Sequence, residues 1–384
     1  MGTIHDLAER CWNGEADLVH EHHPVHTWQD GTEEIADGLL FYKGLASANT
    51  LDTGDGLVML DTGSQVDTDR LHGEVRRWRP AAPLAAAVFS HHHVDHVFGV
   101  APFERDARDA GVPAPTVYGH AGIGPNFDRY RRTLGLNTTL NRRQFAIDAP
   151  GFRWPETYRH PDVTYADRLT FRHGEVYLGE WATALRTMAG LGAEIMLAGH
   201  GLPIFGADRI RQALSDTADL LRSLEDQTIA LMNQGLRLDT ILHEVTVPER
   251  LRDRPYLQAV YDHPQFLVRN VWRRYGGWYD GEPDRLLPAP RTAEAAEWVA
   301  LAGGVGTVLA RAAELLDTGG DARLACHLAE AAVAARPENS RAHEIRARAY
   351  EAHAEAQTSS MARNILRHAA NSSRQGLRDL ASGT

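Results

Sequence analysis

The spacing of apolar residues changes character along the chain. From Leu39 to Asp61, "LLFYKGLASANTLDTGDGLVMLD" sets short apolar segments apart with "KGLAS" and "TGDG". The Asp55-Gly56 pair is a hairpin signal, so this stretch predicts a meander of strands. In "TDRLHGEVRRWRP", Leu71, Val75 and Trp78 fall at helical spacing with Pro80 beyond the end, and "PLAAAVFS" then reads as a buried strand. Residues 101–120 repeat the pattern, with a charged helix through "FERDARDAG" and a strand at "TVYGH". A helical stretch with Arg129, Arg131 and Arg132 follows, then "NTTLNRRQF". Between about 150 and 200 come a Pro-rich loop, a strand "RLTF", a helix "EWATALRTMAGLG" and a strand "EIMLAG" that ends in His200.

Beyond Ala207 the apolar positions fall into long amphipathic helices, among them "DRIRQALSDTADLLRSLEDQTIALMNQG" and an Ala-rich series from Thr292 to about Leu380. Residues 269–290, "RNVWRRYGGWYDGEPDRLLPAP", read as an aromatic, Gly- and Pro-bearing loop between them, and "LAEAAVAARPENSRAHEIRARAYEAHAEA" as one helix pair of tetratricopeptide kind. The change of pattern divides the chain into an α/β domain over 1–206 and an all-α domain over 207–384.

At 384 residues with 43% hydrophobic content, each domain can bury its own core. The formal charge of -11 argues against nucleic acid as a general partner, because that contact needs basic patches, and any anionic substrate has to be attracted locally. Cys11 and Cys326 are the two cysteines, which excludes a disulfide framework and a CxxC zinc site. No signal-like start and no run of 18 uncharged apolar residues is found, so no membrane span and a cytoplasmic location are expected.

The chemistry concentrates in "FSHHHVDHVFG", residues 89–99, at the carboxyl end of a predicted strand, where α/β proteins place reactive groups. The pattern is HxHxDH. His91 and His93 at i and i+2 can present imidazoles to one ion while Asp95 and His96 turn to a second, and two divalent ions so placed activate water. Asp95 can also orient that water, which makes it the candidate catalytic residue. His92 occupies an unspecified position and is set aside as a ligand. Arg129, Arg131, Arg132, Arg142 and Arg143 are candidates to clamp the acid group of an anionic ester.

Through "VMLDTG" at 58–63, "SHHHVDH" at 90–96 and "AGHG" at 198–201, the chain resembles the metallo-β-lactamase superfamily. The resemblance implies an αββα sandwich in which His91 and His93 hold the first ion and Asp95, His96 and His200 the second. It leaves Asp61 open between a turn cap and a catalytic role. "EDQTIALMNQG" and "VRNVWRRYGGWYDGEPDRLLPAP" are similar to the dimerisation domain of the alkyl sulfatase branch. That likeness implies a homodimer and a sulfate ester as substrate, ahead of another ester, a lactone or a thioester. The branch carries two further metal ligands in motifs like GETDD and TGD, where this chain has "FRHGEVYLGE" at 171–180. Its "HGE" makes Glu175 the candidate for the first ion, with Glu180 a weaker bridging candidate. The expectation is therefore a zinc-dependent hydrolase with one or two Zn2+ ions acting on a small-molecule ester. The alternative is a catalytically impaired dimeric metal-binding or scaffold protein whose shortened loop has lost metal ligands.

Overall fold

Runs of alternating side chains between residues 32 and 60 pair with their sequence neighbours, and later strands join in parallel through helices, as short loops and right-handed crossovers require. The computed structural model of the chain describes residues 3–26, 31–147, 149, 151–165 and 178–376, without the side chains of 178–180.

Helix α1 (Thr3–Trp12) precedes strands β1 (Thr32–Ala36), β2 (Leu39–Lys43), β3 (Ser47–Asp52) and β4 (Leu57–Leu60), each antiparallel to the next. The expected hairpin joins β3 to β4. Thr53 donates from both its backbone N–H (3.0 Å) and its hydroxyl (2.8 Å) to the carbonyl of Gly56, and Gly54 and Gly56 both take positive φ. From β4 onward the sheet is parallel. Helix α2 (Thr68–Trp78) leads to β5 (Leu84–Phe89), α3 (Val100–Ala110) to β6 (Thr116–His120), and α4 (Ile123–Arg132) and α5 (Leu134–Gln144) to β7 (Val163–Tyr165). The seven strands lie in sequence order.

On one face of this sheet Leu40, Tyr42, Leu57 and Met59 pack with Leu71 and Val75 of α2 and Phe103 of α3, all fully or almost fully buried. A second cluster joins Ala87 and Phe89 of β5 and Val117 of β6 to Ile123 and Phe127 of α4 and to Tyr158. Burying a side chain of this size contributes about 1.5–3 kcal/mol, so these clusters fix the strand ends that carry the chemistry. Helix α6 (Leu178–Ala189) and a two-stranded sheet of β8 (Ile195–Met196) and β9 (Ile204–Phe205) complete the sheet-bearing part. The strand expected at "RLTF" and the candidate Glu175 lie outside the described residues.

Helix α7 (Ala207–Asn233) opens the helical region, followed by α8 (Leu238–Glu244), α9 (Glu249–Arg252), α10 (Pro264–Gly276), α11 (Arg291–Leu301), α12 (Val305–Asp317), α13 (Ala322–Ala335), α14 (Ser340–Glu355) and α15 (Ser360–Gln375). Contacts divide the chain into two units. One comprises 1–138, 153–227 and 246–258, the other 139–152, 228–245 and 259–384. In the second, Val299, Val308, Ala312, Ala329, Ala332 and Ile345 interlock across α11 to α14. The expected helix pair is α13 and α14, each with a capping side chain, Asp321 and Asn339, that accepts a backbone N–H of the first turn.

The stretch 269–290 departs from its reading as a loop, because its first eight residues belong to α10. Pro264 occupies the first turn, His263 accepts the Gln265 N–H, and Val268 and Val271 at helical spacing are buried. The loop begins only at Gly277, whose φ of 77° ends the helix. Among the described residues no single helix is long and apolar enough to cross a membrane.

Candidate metal centre

Strand β4 ends in a turn that only certain residues accept. Asp61 has φ 55° and Gly63 φ 73°, the left-handed region that Asp tolerates through its short polar side chain. The loop after β5 zips onto this turn. Thr62 N–H donates to the His96 carbonyl at 2.7 Å and Phe98 N–H to the Gly63 carbonyl at 3.0 Å. Gly99 lets the two backbones meet, since a Cβ there would stand 2.0 Å from the Thr62 carbonyl oxygen.

Asp61 accepts from Ser90 N–H and the Ser90 hydroxyl, both at 2.8 Å, and from His96 Nδ1 at 2.8 Å. Because the Ser90 hydroxyl proton is committed to Asp61, the 2.8 Å contact of His91 Nδ1 with Ser90 Oγ is a donation by the histidine. At the other side of the cluster His200 Nδ1 donates to the Leu45 carbonyl at 3.0 Å, and Ser47 N–H donates to the Gly199 carbonyl at 2.8 Å, so the β8 end is pinned to the start of β3. In each of the three histidines Nδ1 carries the proton, which leaves Nε2 as a lone pair.

Two of those lone pairs face one carboxylate oxygen. His96 Nε2 lies 3.5 Å and His200 Nε2 3.4 Å from Asp95 Oδ2. His96 is 1% exposed at its side chain, and its Nε2 is buried with no hydrogen-bond partner. An orphaned nitrogen of this kind costs about 1–3 kcal/mol unless something fills it. Three acceptors converging without a donor call for a shared cation, and ligand atoms of Asp95, His96 and His200 all lie within 4.8 Å of one another. Two imidazoles and a carboxylate are the donor set of a zinc-type ion, and each His has the protein acceptor on its other nitrogen that metal-ligating histidines ordinarily have. The residues present fit such an ion.

Asp61, His91 and His96 form a second group within the same limit. With three donors already on its carboxylate, Asp61 orients His96 and Ser90 and has little capacity left for an ion. His91 and His93 bring their ring centroids within 4.5 Å, and His93 is exposed. His92 lies with its ring centroid 4.9 Å from that of His93 and is covered by α4. It is 2% exposed and packs its ring 5.3 Å from that of Tyr130 on α4.

Burial alone would lower the pKa of His96, but the Asp61 hydrogen bond and the charges of Asp95 and Asp61 hold it above the ordinary value. His200 goes down, chiefly through loss of water. Lys43, at the end of β2, is fully buried. Its Nζ donates to the carbonyls of His26, at 2.9 Å, and Gly44, and burial pushes it down to about 7. Neither this lysine nor the orienting role of Asp61 is marked by a motif; the left-handed "DTG" turn is the one signal the sequence offers.

Residues 44–160 match the family model described as metallo-beta-lactamase superfamily, and residues 237–376 match the model for alkyl sulfatase dimerisation. The two matches agree with the motifs: a segment similar to the metallo-β-lactamase superfamily is followed by a helical segment similar to the alkyl sulfatase dimerisation domain. Within that class its relatives are alkylsulfatases. It is 26% identical over 364 residues to a linear primary-alkylsulfatase of Pseudomonas sp. (strain ATCC 19151), covering 78% of this chain and 69% of that one. It is 27% identical over 395 residues to an (R)-specific secondary-alkylsulfatase of Pseudomonas sp., covering 84% of this chain and 59% of that one. The solved structure of the stereoselective inverting sec-alkylsulfatase Pisa1 from Pseudomonas sp. superposes with a TM-score of 0.77 at 24% identity, over 91% of this chain and 66% of that one. This last likeness shows the fold. The chain spans about three fifths to two thirds of the length of these relatives.

Proposed function

We propose that the chain is a metal-dependent hydrolase of sulfate esters. The observation that carries the reading is the convergence of His96 Nε2 and His200 Nε2 on Asp95 Oδ2 with no donor between them. We assign His91 and His93 to one ion and Asp95, His96 and His200 to a second, with Zn2+ as the ion and Glu175 as a further ligand to the first. A divalent ion bound there supplies Lewis acidity that brings the pKa of water toward neutrality. Asp95, which has no Arg or Lys partner among the described residues, accepts a hydrogen bond from the attacking water and so orients it. Asp61 and Leu45 keep the imidazoles in the tautomer that leaves Nε2 free.

The substrate class follows the alkylsulfatase relatives, and the domain boundaries proposed, 1–206 and 207–384, enclose the two family matches. The same reading makes the protein a homodimer through its helical part. There Trp278, Leu287, Trp298 and Leu301 are 81%, 91%, 61% and 77% exposed, an apolar surface that suits a partner of its own kind. A cytoplasmic location suits Cys11 and Cys326, both free thiols.

Metal analysis of the purified protein, joined to sulfate release from short and long alkyl sulfates, tests the proposal. One to two ions per chain and measurable sulfate support it. Turnover of a lactone or thioester with no sulfate released overturns the substrate class, and absence of both metal and turnover favours the dimeric scaffold.

A further inference from the structure

Among the five arginines that follow β6, their surroundings single out one. Arg131 is engaged, donating from Nη1 to Asp128 at 2.6 Å and from Nε to the Glu156 carbonyl at 3.0 Å, with His160 Nε2 3.2 Å from Nη2. Arg142 and Arg143 belong to the helical unit. Arg132 has neither a ring nor a polar partner to fix it among the described residues. Arg129 is exposed and forms no ion pair with a described carboxylate, yet it is held: its guanidinium carbon lies 5.6 Å from the centroid of the Tyr130 ring.

Tyr130 joins that guanidinium to the metal-ligand loop. Its ring stands 5.3 Å from His92, two positions after Ser90, and 6.5 Å from Tyr158. Tyr158 is 5% exposed and stacks on buried Phe127 at 4.5 Å. The aromatic block therefore runs from the core under α4 to the loop that carries Asp95. Burial pushes the Tyr130 phenol up to about 12, with Arg129 opposing the rise and Asp95 adding to it, so both charges are felt at this one ring.

We infer that Arg129, carried on the Tyr130 ring, receives the sulfate-ester anion at the rim of the Asp95–His96–His200 cluster. The inference rests on the sulfate-ester reading and deepens it. A planar guanidinium offers paired N–H donors that match two sulfate oxygens. An anion approaching Asp95 on a chain of net charge -11 needs a local cation to meet it. Contact with the ring limits the conformations the arginine loses on binding.

Steady-state kinetics of Arg129→Gln and Arg129→Lys on a medium-chain alkyl sulfate, with inorganic sulfate as inhibitor, test the assignment. Arg129→Gln is expected to raise KM and the sulfate inhibition constant by about 10- to 100-fold with a smaller change in kcat, the scale of one charge-assisted contact, and Arg129→Lys to restore part of both. Tyr130→Ala is expected to move the same two constants in the same direction, and Tyr130→Phe to move them less. Unchanged KM and sulfate inhibition in an active Arg129→Gln protein overturn the clamp and leave the sulfatase reading standing. Calorimetric titration of inorganic sulfate into the metal-loaded protein answers without turnover. Sulfate binding lost in Arg129→Gln supports the clamp even if no ester is cleaved, and equal binding in both proteins, or none in either, overturns it.

Discussion

His96 Nδ1 donates to Asp61 Oδ2 across 2.8 Å, with side chains 1% and 8% exposed, so a turn aspartate sets the orientation of the most buried of the candidate metal-ligating histidines. The bond fixes the tautomer and aims Nε2 at Asp95. Asp61→Ala should therefore weaken metal affinity by about 10- to 100-fold, the range seen when the outer partner of a metal-bound histidine is removed. Competition with a chromophoric chelator measures this, and circular dichroism checks that the fold persists. Affinity equal to that of the unaltered protein would remove Asp61 from the site.

Gly99 is a packing requirement of the ligand loop. Any side chain there meets the Thr62 carbonyl, which belongs to the turn that also carries Asp61. Gly99→Ala should destabilise the protein at the upper end of the roughly 1–3 kcal/mol typical of overpacking, and lower Tm by several degrees. A thermal melt of the variant with an unshifted midpoint would contradict this account of the turn.

Lys43 gives a pH signature. Its pKa is lowered from 10.5 to about 7 by burial, so between those values the unfolded chain holds a proton that the folded one does not. By linkage, folding stability rises with pH across that window, and the penalty for a charged, buried lysine is fully present below about 7. Lys43→Met removes the titration. The difference in Tm between the unaltered protein and this variant should shift in favour of the unaltered protein from pH 7 to 10, as read by calorimetry in paired buffers.

Trp298 and Leu301 close α11 and both point to solvent in the single chain. If the proposed homodimer forms through this surface, replacing the two by Glu should leave a monomer in light scattering, because two charges placed in an apolar interface are each costly to desolvate. A variant that remains dimeric would place the interface elsewhere.

Much of the sheet could be read from the chain because its strands are short, apolar and bounded by Gly, Pro and Asp turns, as at Gly54 to Gly56 and at Pro83 before β5. HxHxDH announces itself by composition. What stayed hidden is what spacing does not encode. Residues 269–276 look like loop because Arg, Trp, Tyr and Gly crowd there, and buried Val268 and Val271 decide for helix. Asp61 reads as an ordinary turn residue until His96 is brought to it from 35 positions away. His92 and His93 are neighbours of the same type, and only the position of α4 makes one of them the partner of Tyr130 and leaves the other exposed.

The anchoring of His200 on the Leu45 carbonyl joins points 155 positions apart. For a flexible connection the entropy of closing a loop grows with the logarithm of its length, so each doubling adds only about 0.6 kcal/mol. Removing ten residues from so long a span would change that cost by less than about 0.1 kcal/mol. In its loop-closure term alone, the meeting of His200 with Asp95 and His96 is thus nearly indifferent to how much chain lies between them. Evolution can rewrite the intervening segment, ligands included, while the buried half of the centre stays assembled.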